Sequence, residues 1–165
     1  MSVFATLVVG RDGSTSLNGT SQSISSPTDR QTFLKRRRSA DFLLIGGETA
    51  RSEPYHRTPA PVVISSRSMI NSLSDNQLAH WWNLSPERAL AKGIVKFGPN
   101  VLVESGGRIL DQLISAKLLD GIYLSVTEST GGENKIDIEN LLAKFVEVDR
   151  SKVGDTLFIT AKKLR

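Results

Sequence analysis

The sequence predicts an α/β domain spanning residues 1–165, with a central sheet and helices on both of its faces. Two observations predict it. Strand-length apolar runs alternate with capped or helix-period segments along the chain. Three of those runs end in small-residue turns, Gly46-Gly47, Ser65-Ser66-Arg67 and Ser105-Gly106-Gly107, as strands do where an open α/β sheet releases the chain toward a ligand crevice. A chain of 165 residues buries one proper core and is short for two.

The elements follow in order. Val3 to Val9 is a first strand, and residues 10–26 form a polar loop rich in serine and glycine. Ser26-Pro27-Thr28-Asp29 opens a helix, with serine at the N-cap, proline at the first helical position and an acid in the first turn. It runs to about Ser39, with Phe33 and Leu34 among its buried residues. Asp41 to Ile45 is a second strand and Pro61 to Ser65 a third. Residues 70–97 read as two short helices, one after Ser74 and one opened by Ser85-Pro86-Glu87, with Trp81 and Trp82 between them as core or oligomer contacts. Val101 to Val103 is a buried strand, and Ile109, Leu110, Leu113, Ile114 and Leu118 recur at helical spacing after it. Gly121 to Val126 is a further strand, Ile138 to Phe145 a helix, and Thr156 to Ala161 a closing strand.

Composition excludes several classes. Hydrophobic residues make up 39% and charged residues 23%, the balance of a soluble globular protein. No apolar stretch approaches the roughly 18 residues that span a bilayer. The N-terminal segment lacks a basic region and a small-residue cleavage site, so a cytoplasmic location is expected. With no cysteine there is no disulfide and no thiolate chemistry; His56 and His80 are scattered, and no metal site is expected. The net charge of +4 comes largely from Lys35-Arg36-Arg37-Arg38. Cations in a last helical turn complement the helix dipole, and no aromatic residues interleave this cluster, so nucleic-acid binding is not expected.

The chemistry concentrates at the strand ends. Glu104 is an acid at the end of its strand, and Ser105-Gly106-Gly107 leads through Arg108 and Ile109 into a helix whose N–H groups favour phosphate. Gly46-Gly47 offers a second such turn, with the Thr49 hydroxyl beside it. Ser65, Ser66 and Arg67 suit a further phosphate, such as that on the 2′ position of NADP. Neither G-x-G-x-x-G nor G-x-x-x-x-G-K-[ST] occurs, so a dinucleotide site here belongs to neither common nucleotide-binding fold.

Taken in order, Asp12-Gly13, Gly19-Thr20-Ser21-Gln22, Ser26 to Arg30, Arg37 with Ala40-Asp41, Gly46 to Tyr55, Ser65-Ser66-Arg67, Glu104 to Gly107, Leu118-Leu119-Asp120 and Gly131-Gly132 resemble the pyrimidine reductases of riboflavin biosynthesis. The resemblance covers roughly residues 3–67 and 98–133. It implies a dihydrofolate reductase-like three-layer sandwich around a mostly parallel sheet. The implied activity is that of a 5-amino-6-(5-phosphoribosylamino)uracil reductase, which uses NADPH to convert a ribosyl into a ribityl group by hydride transfer to C1′. By the same resemblance Thr49, Glu53, Ser65 or Ser66, and the turn Gly106 to Asp111, with Arg108 and Ile109 in it, would hold NADPH; the reading of the turns adds Gly46, Gly47, Arg67 and Ser105 to that site. Ser21, Arg37 and Glu104 hold the phosphorylated small-molecule substrate, with Arg51 or Arg57 sharing its phosphate. Glu104 and Asp12 are the acids placed to stabilise or relay a proton; an Asp-Gly pair is equally a turn former. The zinc deaminase motif of bifunctional relatives is absent. The family carries a further strand between Arg67 and Val101, on the adenine side of the cofactor; the helical reading of 70–97 predicts that it is missing. Two functions stay open on this basis: a working reductase, or a member that binds a nucleotide or protein partner without turnover. A homodimer is expected from the family and from tryptophans taken to be exposed.

Overall fold

A computed structural model describes residues 1–165. The elements are β1 (Ser2–Gly10), α1 (Pro27–Ser39), β2 (Phe42–Gly46), α2 (Gly47–Ser52), β3 (Val62–Ser65), β4 (Ala79–Trp82), α3 (Pro86–Phe97), β5 (Asn100–Val103), α4 (Gly107–Ser115), β6 (Gly121–Thr127), α5 (Ile138–Leu142), β7 (Phe145–Val153) and β8 (Thr156–Leu164). All eight strands join one sheet in the order β4-β3-β2-β5-β1-β6-β8-β7. The first six in that order run parallel; β8 is antiparallel to β6, and β7 to β8.

The central strands are apolar on both faces because both are covered. Phe42, Leu43, Leu44 and Ile45 of β2 are each 0% exposed. Their alternation divides them: Phe42 and Leu44 join a cluster of 22 buried residues under α3, α4 and α5, while Leu43 and Ile45 join one of 8 that includes Ala50 of α2. The smaller cluster leaves room on that face for a polar helix. The buried residues of α1 are Asp29 and Arg37, whereas Phe33 and Leu34, expected to be buried, are only half-buried. This helix is therefore held by polar contacts and not by an apolar stripe.

Two strands correct the sequence expectation. No helix follows Ser74. Asn71 and Asn76 each accept, on Oδ1, the backbone N–H two residues ahead, at 2.9 Å in both cases, and these turns divert the backbone from a helix. The chain then enters β4, pairing Ala79 to Trp82 with Val62 to Ser65 of β3. The strand expected to be missing is present. Successive side chains of β4 point to opposite faces, so Trp82 packs near Phe97 of α3, and Trp81 lies on the other face with its Nε1 donating to the Ser68 carbonyl at 2.7 Å. Both tryptophans are half-buried within the chain, which removes them as a reason to expect a dimer. The second correction is β7: the helix from Ile138 stops at Leu142, and Phe145 starts a strand that turns through Gly154, at φ +61°, into β8.

The three small-residue turns expected to share a rim do so. Gly46 pairs with Ser65 and Leu44 with Val103 in parallel register, so the ends of β2, β3 and β5 lie side by side. At the other end of β2 close packing depends on Gly93 of α3, where a Cβ would sit 2.4 Å from the Phe42 ring. Gly93→Ala is expected to lower stability by about 1–3 kcal/mol through overpacking, despite alanine's better helix propensity, as measured by urea denaturation.

Candidate active site

The rim opens into one cleft of about 1700 Å³, with its walls drawn from the strand-end turns, α1 and the polar loop. That exceeds the volume of a drug-sized pocket.

At its base lies a buried ion pair. The Glu104 backbone N–H continues the ladder of β5 by donating to the Leu44 carbonyl at 2.9 Å, which fixes the start of the side chain. Arg37, from the last turn of α1, donates from Nε to Oε1 at 2.8 Å and from Nη2 to Oε2 at 2.7 Å, and the two side chains are 9% and 3% exposed. The Tyr55 hydroxyl donates to Oε2 at 2.6 Å. The Arg37 guanidinium carbon lies 4.4 Å from the Phe33 ring centre and 4.9 Å from that of Tyr55. Burial lowers the Arg37 pKa, but the hydrogen bonds and charge of Glu104 outweigh it, and the net shift is upward. Burial, then the Glu104 charge, push the Tyr55 phenol well above its ordinary value, so it remains an O–H donor.

Beside this base are two glycine-led helix starts. Gly106 caps α4 with no side-chain hydrogen bond; Gly107 has φ +53° and open space where a Cβ would project. A side chain at Gly107 would be strained and would fill that space. The first N–H groups of α4 have no partner within the helix, and Gly106 to Ile109 line the cleft. The Ile109 side chain packs toward Gly46, where a Cβ would meet its Cδ1 at 2.8 Å. Ser105 Oγ accepts the Gly46 N–H at 3.2 Å and lies 3.3 Å from Thr49 Oγ1, joining the two turns.

The other expected residues fall into groups. Ser65 Oγ donates to the Leu84 carbonyl at 2.7 Å and ties β3 to the segment after β4. Ser66, Arg67 and Arg108 line the cleft, as do Asn83 and Arg88. Arg51, expected beside the substrate, has its Nη1 near Gly47: a Cβ there would lie 3.1 Å from it and 2.6 Å from Ser66 Oγ. The structure thus places Arg51 with the serine turn. Glu53 Oε1 accepts the Ser21 N–H at 2.7 Å and fixes the polar loop at the cleft wall.

Asp12 is not brought to this site. Its Oδ1 accepts from the Ser14 hydroxyl at 2.6 Å, and its Oδ2 accepts from the Gly131 N–H at 2.8 Å and faces Lys135 Nζ at 3.4 Å. The Ser14 hydroxyl and the Gly131 amide hold its carboxyl far below the usual carboxylate range. Asp12 here pins the loop and has no proton to give at neutral pH. Arg57 and His56 line a smaller basic groove outside the main cleft.

Sequence reasoning missed Tyr55, Asn83 and Arg88. Tyr55 stands in an irregular segment without periodicity, and the last two depend on β4. Removing one member of the buried pair leaves the other charge unpaired. Arg37→Met is expected to cost about 3–5 kcal/mol, and Arg37→Met with Glu104→Leu is expected to recover most of that loss, as read by denaturant titration.

The family model described as the RibD C-terminal domain matches residues 2–139. No curated protein matches the chain in sequence. Among solved structures, a diaminohydroxyphosphoribosylaminopyrimidine deaminase/5-amino-6-(5-phosphoribosylamino)uracil reductase from Thermotoga maritima is similar at TM-score 0.74 and 14% identity over 98% of this chain. The chain spans 56% of that protein's length. A pyrimidine reductase-like protein from Corynebacterium diphtheriae is similar at TM-score 0.69 and 15% identity, covering 99% of this chain and 92% of that one. Dihydrofolate reductase from Enterococcus faecalis, complexed with NADP(H) and RAB-propyl, is similar at TM-score 0.71 and 17% identity, covering 98% and 95%. These likenesses show a dihydrofolate reductase-like fold. With a family match across most of its length, the chain belongs to the RibD C-terminal domain family.

Proposed function

We propose that this chain is an NADPH-dependent reductase that delivers hydride to C1′ of the open-chain imine of a phosphorylated ribosylamino-pyrimidine. The observation that carries the proposal is the juxtaposition in one cleft of a buried Glu104–Arg37 pair and two glycine-led helix starts without side-chain caps. The family match, the reductase neighbours and the NADP(H) held by one of them support it.

The residues fit the cofactor. Gly107 has room for a ligand where a side chain would intrude, and the Ser105 and Thr49 hydroxyls line the same cleft beside Gly46. The α4 N-terminus and Gly46-Gly47 would hold the pyrophosphate, while Ser66, Arg51 and Arg67 would grip the 2′-phosphate. When bound, NADPH supplies the hydride. Ser21 and Glu104 would orient the substrate. Arg37 Nη1 makes no hydrogen bond in the pair and stays available to the substrate phosphate. Glu104 would accept a hydrogen bond from the protonated imine nitrogen and stabilise its charge; orientation supplies the larger share of the rate. The alternative, a member that binds a nucleotide or protein partner without turnover, rests on the absence of a strand between Arg67 and Val101, and β4 stands in that interval.

Titration followed by nicotinamide fluorescence is expected to show NADPH bound at least about tenfold more tightly than NADH. Gly107→Val is expected to weaken NADPH binding by about tenfold or more through backbone strain and lost space. Substrate-dependent NADPH oxidation is expected in the wild type and to fall by about a hundredfold or more in Glu104→Gln. No NADPH binding by the folded wild type would overturn the proposal.

A further inference from the structure

The two oxygens of Glu104 are not equivalent. Oε2 accepts from the Tyr55 hydroxyl at 2.6 Å, from Arg37 Nη2 at 2.7 Å and from Arg37 Nε at 3.1 Å. Oε1 accepts only from Arg37 Nε, at 2.8 Å. A carboxylate oxygen accepts about two strong hydrogen bonds, so Oε2 is filled and Oε1 keeps an open position. The arginine fork alone does not create this difference: it gives each oxygen one short bond, and its further contact on Oε2, from Nε at 3.1 Å, is the longest of the three. Tyr55 creates it.

Tyr55 is also rigidly held. Its N–H donates to the Glu53 carbonyl at 3.0 Å, and its own carbonyl accepts from Asn76 Nδ2 at 2.9 Å. Asn76 is buried and also donates to Thr58 Oγ1 at 3.2 Å, so the turn before β4 braces the segment that carries the phenol. Tyr55 is 4% exposed and packs in the smaller core cluster with Leu73 and Ile45. Neither the motifs nor the proposed cofactor and substrate contacts give this hydroxyl a task.

We propose that Tyr55 is a positioning residue for the reduction: by occupying Glu104 Oε2 it leaves Oε1 as the single open acceptor that the base of the cleft offers to the substrate. The role rests on the reductase function proposed above. It commits the substrate to presenting a hydrogen-bond donor, N–H or hydroxyl, next to the carbon that is reduced. Without the phenol, Oε2 also has an open position, so the substrate donor can seat on either oxygen, and a misplacement of about 1 Å at the reacting centre costs up to about a hundredfold in rate.

The test compares wild type, Tyr55→Phe, Glu104→Gln and the double variant, using a phosphorylated ribosylamino-pyrimidine and NADPH. Phenylalanine keeps the ring and its stacking on Arg37. The expected result for Tyr55→Phe is a kcat lowered about tenfold or more, with KM and NADPH affinity each within about threefold of wild type. The double variant is expected to be no slower than Glu104→Gln, because Tyr55 acts only through that carboxylate. Proton NMR supplies a reading free of turnover: a slowly exchanging downfield hydroxyl resonance in wild type, absent from Tyr55→Phe and persisting when substrate binds. An unchanged kcat in folded Tyr55→Phe, losses that add in the double variant, or disappearance of the resonance on substrate binding would each overturn the role. The last needs only wild type and decides the matter if the phenylalanine variant does not fold. A wild type that shows the hydroxyl resonance but never oxidises NADPH overturns the reductase function, and this role with it; turnover with Tyr55→Phe unaffected overturns this role alone.

Discussion

The buried ion pair between Arg37 and Glu104 joins the polar helix to the sheet. Desolvating two charges costs several kcal/mol per ion, and only close to complete hydrogen bonding offsets it. Here the carboxylate takes the arginine fork and the Tyr55 hydroxyl, while two aromatic rings flank the guanidinium. The pair also settles the place of α1. That helix has no buried apolar residue; its inward groups are Arg37 and Asp29, the latter accepting from the Ser25 hydroxyl at 2.5 Å. Were Glu104 alone apolar, Arg37 would be buried without a partner and α1 would lose its main polar anchor to the sheet.

The sheet determines where this pair can act. Parallel strands release their chain at one rim, and β2, β3 and β5 bring a glycine turn, a serine turn and Glu104 into register there. Close packing then ties the turns together. Gly46 admits Ile109, Gly47 admits Ser66, and the Ser105 hydroxyl bridges toward Thr49. The outcome is a cleft with a neutral ion pair at its base and unpaired backbone donors beside it. An anionic nucleotide suits the donors, and a donor-bearing substrate suits the carboxylate.

Much of this was legible in the sequence where the signal is local. Val3 to Val9, apolar but for Thr6, and the unbroken Phe42 to Ile45 announce strands by hydrophobicity; Ser26-Pro27 and Ser85-Pro86 announce helix starts by capping chemistry, and both serines do cap. Glu104, Gly106 and Gly107 stand out as an acid and a cradle at a strand end, and the structure sets them in the cleft. What escaped depends on tertiary partners. The strand β4 is four residues long, and its tryptophans serve opposite faces, so no periodic pattern marks it. Six of the first seven residues of β7 after Phe145 are polar, charged or exposed because only one end of that strand meets the core. Asp12 carries a catalytic-looking motif, yet Ser14 and Gly131 claim its carboxylate through pairings that sequence spacing cannot display. Tyr55 gains its importance wholly from a partner 49 positions away.

The central claim, that this cleft is a dinucleotide-dependent reduction site with Glu104 at its base, is tested most directly by a crystal structure of the chain with NADP+ bound. The pyrophosphate is expected on the backbone N–H groups of Gly106 to Arg108, the 2′-phosphate toward Arg51 and Ser66, and the nicotinamide at the end of the cleft that holds Glu104. A nucleotide bound outside this cleft, or one lying within it with the nicotinamide at the Arg51 end, would contradict it.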